Sequence, residues 1–444
     1  MKTPICDFVK EYNSGGYVRL HMPGHKGKEL VGGESIDITE IFGADSLYDA
    51  SGIIRESEQN ASLLFGCDTL YSTEGSSHVI RAMMYLVCLH AKNNGKRARI
   101  LVARNCHKTF ISAAALLDFD VEWMPCDSGS YLSCDIDTDK LDECILNSDH
   151  TPTALYLTSP DYLGHVVDIA AISEVCHKRG VLLCVDNAHG AYLRFLGESR
   201  HPIDLGADIC CDSAHKTLPV LTGGAYMHIS DNAPSIFKEN VKDALSLFGS
   251  TSPSYLVLQS LDRANAYLEE GYREKLGALV SKISSLKERL CTVGYRFYGN
   301  EPTKLTIEAK KYGYTGVTLA KILEEKGIVC EFCDPDYLVL MFTPEIEDRE
   351  LSRFAEALLS IVKLSEVEEQ PPKCAAFERK MGIREATMSP CEFLPIEECE
   401  GRILARLGVS CPPAVPIAVS GEVISREMIE CFKYYGTDRI AVVK

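Results

Sequence analysis

Between about residues 60 and 230, short apolar runs alternate with longer helix-like stretches, and this constrains the fold more than any other feature. The runs RARILVA (97–103), TALYLT (153–158), VLLCVD (181–186) and ADICCD (207–212) are bounded by turn residues. They read as strands buried on both faces. Between them lie SSHVIRAMMYLVCLHAK (76–92), FISAAALLD (110–118) and DIAAISEVCHKRG (168–180), which read as helices. Strand–helix alternation implies an α/β fold with a mostly parallel sheet, whose ligands bind at the carboxyl ends of the strands. A long helical stretch follows over 255–290. IVCEFC and LVLMFT, separated by DPDY, read as a hairpin of a smaller α+β domain, and EVEEQPPKC (366–374) as a linker or exposed turn.

Composition narrows the function. The 444 residues carry 46 basic and 63 acidic side chains, a net charge of −17. Such a chain lacks the basic face that nucleic-acid binding requires; its acidity reads first as a means of solubility and second as an attraction for cationic small molecules. No run approaches the roughly 18 apolar residues of a membrane helix, and the first twenty residues hold no signal-peptide core. Nineteen scattered cysteines therefore read as reduced thiols in a cytoplasmic protein.

The polar clusters fall at the expected strand ends. Lys216, in Asp212-Ser213-Ala214-His215-Lys216-Thr217, follows ADICCD and suits a Schiff-base lysine. Ser213 and His215 offer hydrogen bonds to a phosphate; taken alone, Lys216 reads more readily as a surface-loop lysine. Asp186 ends VLLCVD and suits a partner for a pyridine nitrogen, or else a helix N-cap. Two unit charges about 4 Å apart at an effective dielectric near 20 attract by roughly 4 kcal/mol, on the order of a thousandfold bias towards a protonated ring. Gly75, Ser76 and Ser77 open a helix, where free N–H groups form either an anion site or a plain cap. His107 follows ILVAR and is placed to stack on a flat cofactor or to serve structurally.

Taken together, HMPGHKG (21–27), DITEIFGADSLYDASGII (37–54), RNCHK (104–108), SPDYLGHVVDI (159–169), VDNAHGA (185–191), DSAHKTLPVLTGGAYMH (212–228) and GSTSPSYLVLQSLD (249–262) resemble the ornithine/lysine/arginine decarboxylases. These are pyridoxal-phosphate (PLP) enzymes of the aspartate-aminotransferase fold, fold type I. The resemblance covers about 17–265 and returns more weakly at PPAVPIAVSGEVIS (412–425). It implies an N-terminal segment (1–45), a PLP-binding large domain (46–285), a small α+β domain (286–370) and a C-terminal segment (371–444).

The resemblance also implies roles. Lys216 would hold the cofactor's aldehyde, Asp186 its ring nitrogen and His107 its ring face. Gly75, Ser76, Ser77, Ser213 and His215 would bind phosphate, with His189 near the phenolic oxygen. Thr251 or Ser252 would reach the phosphate of a neighbouring subunit, which implies a homodimer or larger homo-oligomer. The implied reaction is α-decarboxylation of a cationic amino acid, with arginine slightly favoured over lysine and ornithine and a biosynthetic purpose such as polyamine supply. Lys216 or His107 would protonate the carbon, and Glu422 is a candidate contact for the cationic side chain. Transamination, side-chain lysis or an inactive PLP-binding regulator are the alternatives.

This chain departs from the family pattern in three places. Asn187 replaces a usual glutamate, Ala414 a usual glycine and Ser420 a usual proline. No metal site is expected: Cys330-Glu331-Phe332-Cys333 lacks a second pair, and its thiols would point to opposite faces of a strand. His21-Met22-Pro23-Gly24-His25-Lys26-Gly27 reads as a turn around Pro23-Gly24, which the resemblance places near the active site without a role for each residue.

Overall fold

The computed structural model describes residues 1–124, 130–373, 377–408 and 413–444. Cys374 of the expected linker and Pro412 of the proline-rich stretch lie outside the described residues. Two compact units are present, each assembled from three stretches of chain. The first comprises Met1–Ala98, Ile145–Tyr156 and Ile169–Leu276, and the second Arg99–Cys144, Leu157–Asp168 and Gly277–Lys444.

The apolar runs become the strands of one mostly parallel sheet. Strands β1 (Asp68–Ser72), β2 (Arg99–Val102), β3 (Asp120–Trp123), β4 (Ala154–Thr158), β5 (Leu182–Asp186), β6 (Ile209–Asp212) and β7 (Ala225–Ile229) lie in the order β1-β7-β6-β5-β4-β2-β3. β6 is buried at every residue and β4 and β5 at all but one, as strands covered on both faces must be. β5 and β6 pair parallel, with Asp186 opposite Cys211. β7 pairs antiparallel with both β6 and β1.

β1, β3 and β7 are not picked out by the apolar pattern. β7 carries the polar, fully buried His228 as its fourth residue of five, which interrupts the apolar run. The helical stretch over 255–290 is two helices, Tyr255–Glu269 and Tyr272–Thr292. Gly271, at φ +72°, breaks it in a backbone conformation that L side chains rarely adopt.

In the second unit, β8 (Phe297–Tyr298), β9 (Lys304–Glu308), β10 (Phe332–Cys333) and β11 (Tyr337–Met341) form an antiparallel sheet in the order β10-β11-β9-β8. Ile283, Leu290, Leu305, Ile307, Leu338 and Leu358 pack in its core. β12 (Cys391–Pro395), β13 (Leu404–Arg406) and β14 (Arg439–Val443) make a second antiparallel sheet backed by the helix Arg426–Tyr434. Lys310 and Tyr434 tie these two layers together by meeting at Asp336, at 2.9 and 2.7 Å.

Two cysteine expectations are corrected. Cys330 precedes β10 rather than lying in it, and its thiol lies near enough to that of Cys333 for the two to interact instead of facing away. Burial raises the Cys330 thiol to about 11. Cys134 is disulfide-bonded, so not every described cysteine is a free thiol. Among the described residues no helix is long and apolar enough to cross a membrane.

The β10–β11 hairpin is closed by Asp334, which accepts N–H bonds from Asp336 (2.8 Å) and Tyr337 (2.6 Å) through one carboxyl oxygen. Its other oxygen is buried without a partner, and burial raises its pKa to about 6. The folded chain therefore binds this proton more tightly than the unfolded one, and the stabilisation is lost as pH rises through 6. Lowering the pH from 7 to 4.5 should add about 2 kcal/mol from this group. Urea unfolding of Asp334→Asn should lack that increment relative to the parent chain.

Candidate active site

Parallel pairing of β5 and β6 brings the ends of both strands to one edge of the sheet. Asp186 ends β5 and is 2% exposed. It accepts from the Tyr156 hydroxyl (3.0 Å), the Ala188 N–H (3.2 Å) and the Cys211 thiol (3.5 Å). All three donors are neutral, and among the described residues no cation pairs with it. A buried carboxylate without a counter-charge is costly in a low-dielectric interior, so a cationic group delivered to Asp186 would be held strongly.

Lys216 lies beyond the end of β6, on the one-turn helix Ala214–Thr217. Its Nζ is 3.1 Å from Nε2 of His189, which the loop after β5 supplies. Ser213 Oγ donates to Ser76 Oγ at 2.8 Å, joining the Lys216 loop to the first turn of the helix Gly75–Asn93, where Ser77 also lies. The Gly75 N–H reaches the Gly223 carbonyl at 2.7 Å. A side chain at Gly223 would place its Cβ 2.7 Å from the Thr73 carbonyl oxygen, so only glycine closes this turn. His215 donates from Nδ1 to the Gly224 carbonyl (2.9 Å), and burial, reinforced by the Lys216 charge, lowers its pKa. It therefore presents a neutral ring with Nε2 as acceptor.

Sequence reasoning assigned no role to the group beneath this loop. Asp212, fully buried, accepts from His201 (3.1 Å), His228 (3.0 Å) and the Asn187 amide (2.7 Å). Burial alone would raise its pKa, but the two imidazoles override this and hold the carboxyl well below the usual range. Asn187 thus ties the loop after β5 to the end of β6. A glutamate there would set a second carboxylate against Asp212 where the amide now donates.

Thr251 and Ser252 are exposed on the turn before Tyr255–Glu269. Glu74 accepts the N–H of Ser250 in that turn at 2.5 Å. His25 faces Asp37 (3.3 Å) and His21 the Tyr12 hydroxyl (2.5 Å), within the first unit.

In the second unit, His107 caps the helix Lys108–Leu117, its Nδ1 accepting the Thr109 N–H at 3.1 Å, which leaves the ring proton on Nε2. Glu422 requires a correction as a candidate contact for a cationic substrate. Its side chain is 1% exposed, and both carboxylate oxygens accept from Arg104 at 2.7 Å. Neither oxygen is open to an incoming ligand. A sequence clue existed: a charged residue, Arg104, directly follows the apolar run ILVA.

The sheet and the residues at its strand ends define the class: an α/β fold of the kind used by fold type I PLP-dependent enzymes. Comparison with known proteins agrees. The family model described as "Orn/Lys/Arg decarboxylase, major domain" matches residues 3–298, and its C-terminal counterpart matches 365–438. A Bacillus subtilis protein named arginine decarboxylase is 30% identical over 96% of this chain and 92% of its own length. Another from the same organism, named uncharacterized protein YaaO, is 31% identical over 97% and 93%. The solved lysine decarboxylase LdcF of Francisella novicida superposes with a TM-score of 0.81 at 19% identity, covering 100% of this chain and 81% of that one. The chain belongs to the Orn/Lys/Arg decarboxylase family.

Replacing Asp212 tests the buried base of the site. Asp212→Asn leaves His201 and His228 facing an amide in place of a carboxylate, and should cost about 3 kcal/mol in urea unfolding. A cost below 1 kcal/mol would show that the imidazoles do not depend on it.

Proposed function

We propose that this protein removes the α-carboxylate of a basic amino acid as CO2, using PLP held at the ends of β5 and β6. The observation that carries this is the buried Asp186 carboxylate, held by neutral donors only, at the strand end next to the one that leads into the His189–Lys216 pair. These residues fit the cofactor: an amine for its aldehyde, an uncompensated carboxylate for its ring nitrogen, and hydroxyls at a helix N-terminus for its phosphate. When bound, PLP supplies an electron sink for the pair left by the departing carboxylate.

Asp186 would hold the ring nitrogen of bound PLP in its protonated form, since opposite unit charges at ion-pair distance in an effective dielectric near 20 attract by roughly 4 kcal/mol. Lys216 supplies the amine, and His189 Nε2 accepts a proton from its Nζ. The Gly75 turn, Ser76, Ser77 and Ser213 would bind the phosphate; His215, whose Nδ1 proton goes to the Gly224 carbonyl, would donate to it from Nε2 only when the ring is protonated. His107 covers the ring face, and the charge of −17 draws in a cationic substrate.

The working form is a homodimer in which Thr251 or Ser252 completes the partner's phosphate site. Tyr17, Val18, Leu20, Leu30, Val31 and Phe42 are all exposed along residues 17–42, more apolar surface than a monomer commonly presents to water. A second copy of this chain would cover them.

Release of labelled CO2 from carboxyl-labelled arginine, lysine and ornithine tests the reaction. One substrate should release it, Lys216→Ala should abolish release, and Asp186→Asn should lower kcat on the order of a thousandfold. No release from any of the three by protein with bound PLP would refute the reading.

A further inference from the structure

We propose that the stretch from Ala414 to Glu422 is a brace for the His107 loop, and that Glu422 and Ala414 are positioning residues that act through Arg104 and Lys108. The proposal rests on the reading of His107 as the residue covering the cofactor ring, and it adds what holds that residue in place.

The loop between β2 and the helix Lys108–Leu117 is short, and it is tied on both sides of His107. On one side, the Arg104 guanidinium lies 3.6 Å from the Phe377 ring centroid and 4.5 Å from that of Trp123 on β3. Its two terminal nitrogens donate to the two Glu422 oxygens at 2.7 Å each. A planar fork stacked on aromatic faces and bound at both prongs has a single orientation. Glu422 is fixed in turn, because its Oε2 also accepts the Val419 N–H (2.7 Å) and its carbonyl accepts the Leu404 N–H (2.9 Å).

On the other side, the Lys108 N–H opens the helix and has no partner within it. It donates to the Ala414 carbonyl at 2.8 Å. Ala414 is fully buried at φ +57°, a left-handed conformation that persists in alanine only where its surroundings impose it. The chain therefore holds a strained residue at the point that presents this carbonyl. The two ties bracket His107 three residues before and one residue after it, so displacing either one displaces the ring.

Trp123 is the chain's single tryptophan, so its fluorescence reports the Arg104 stack with no cofactor present and without reference to activity. In cofactor-free protein, Glu422→Gln should change Trp123 emission. In the loaded enzyme it should lower kcat tenfold or more while KM stays within twofold. Arg104→Met should do the same, and the double variant should be no worse than either single one. Arg104→Lys keeps the charge but loses the fork; it should show a weaker form of the same pattern and decides the matter should Glu422→Gln not fold. Ala414→Gly should raise Tm by removing the strain, and a lower Tm would contradict the anchor. A tenfold rise in KM at unchanged kcat, with unaltered emission, would make Glu422 a substrate contact and overturn the brace. If the parent enzyme released no CO2, only the decarboxylase reading would fall; emission and Tm would still decide the brace.

Discussion

Two buried carboxylates end adjacent parallel strands, and most of the site follows from how differently each is compensated. An interior of low dielectric does not tolerate a lone charge, so each must be paired or held ready for a partner. Asp212 is held within the chain by hydrogen bonds from His201 and His228 to one oxygen, and its remaining oxygen holds Asn187. Asp186 receives three neutral donors and no cation. The first carboxylate is held by side chains of the same unit and the second by neutral donors alone, although both end short apolar runs of similar sequence.

The second unit relies on the same electrostatics. Arg104 and Glu422 form a buried bidentate pair, and Lys310 meets Asp336 beside Tyr434. Arg104 and Glu422 stand 318 residues apart in sequence, and Tyr434 and Asp336 stand 98 apart. Breaking such a pair leaves a charge buried alone, which favours one arrangement of the C-terminal sheet and of the loop that carries His107.

Much of this was legible in the sequence, for identifiable reasons. Uninterrupted apolar runs announced β2, β4, β5 and β6, because strands covered on both faces need no polar alternation. Asp186, His189 and Lys216 were legible as polar residues directly following those runs. What the sequence hid depends on distant partners. His228 reads as a break in β7 until Asp212, sixteen residues away, is seen to receive it. Glu422 reads as available for a cationic substrate until Arg104 occupies it. The break at Gly271 is conformational, and the helical pattern continues across it in the residues alone. Ala414 marks the opposite case, a left-handed site filled by a residue that gives no sign of it.

The central claim is that Lys216, at the end of β6, is the residue that carries the cofactor. Borohydride reduction of PLP-loaded protein, followed by proteolysis and mass spectrometry, locates the pyridoxyl group directly. The account requires it on the peptide containing Lys216, in about one equivalent per chain. Labelling of a different lysine, or no stable label in protein that binds PLP, would contradict it.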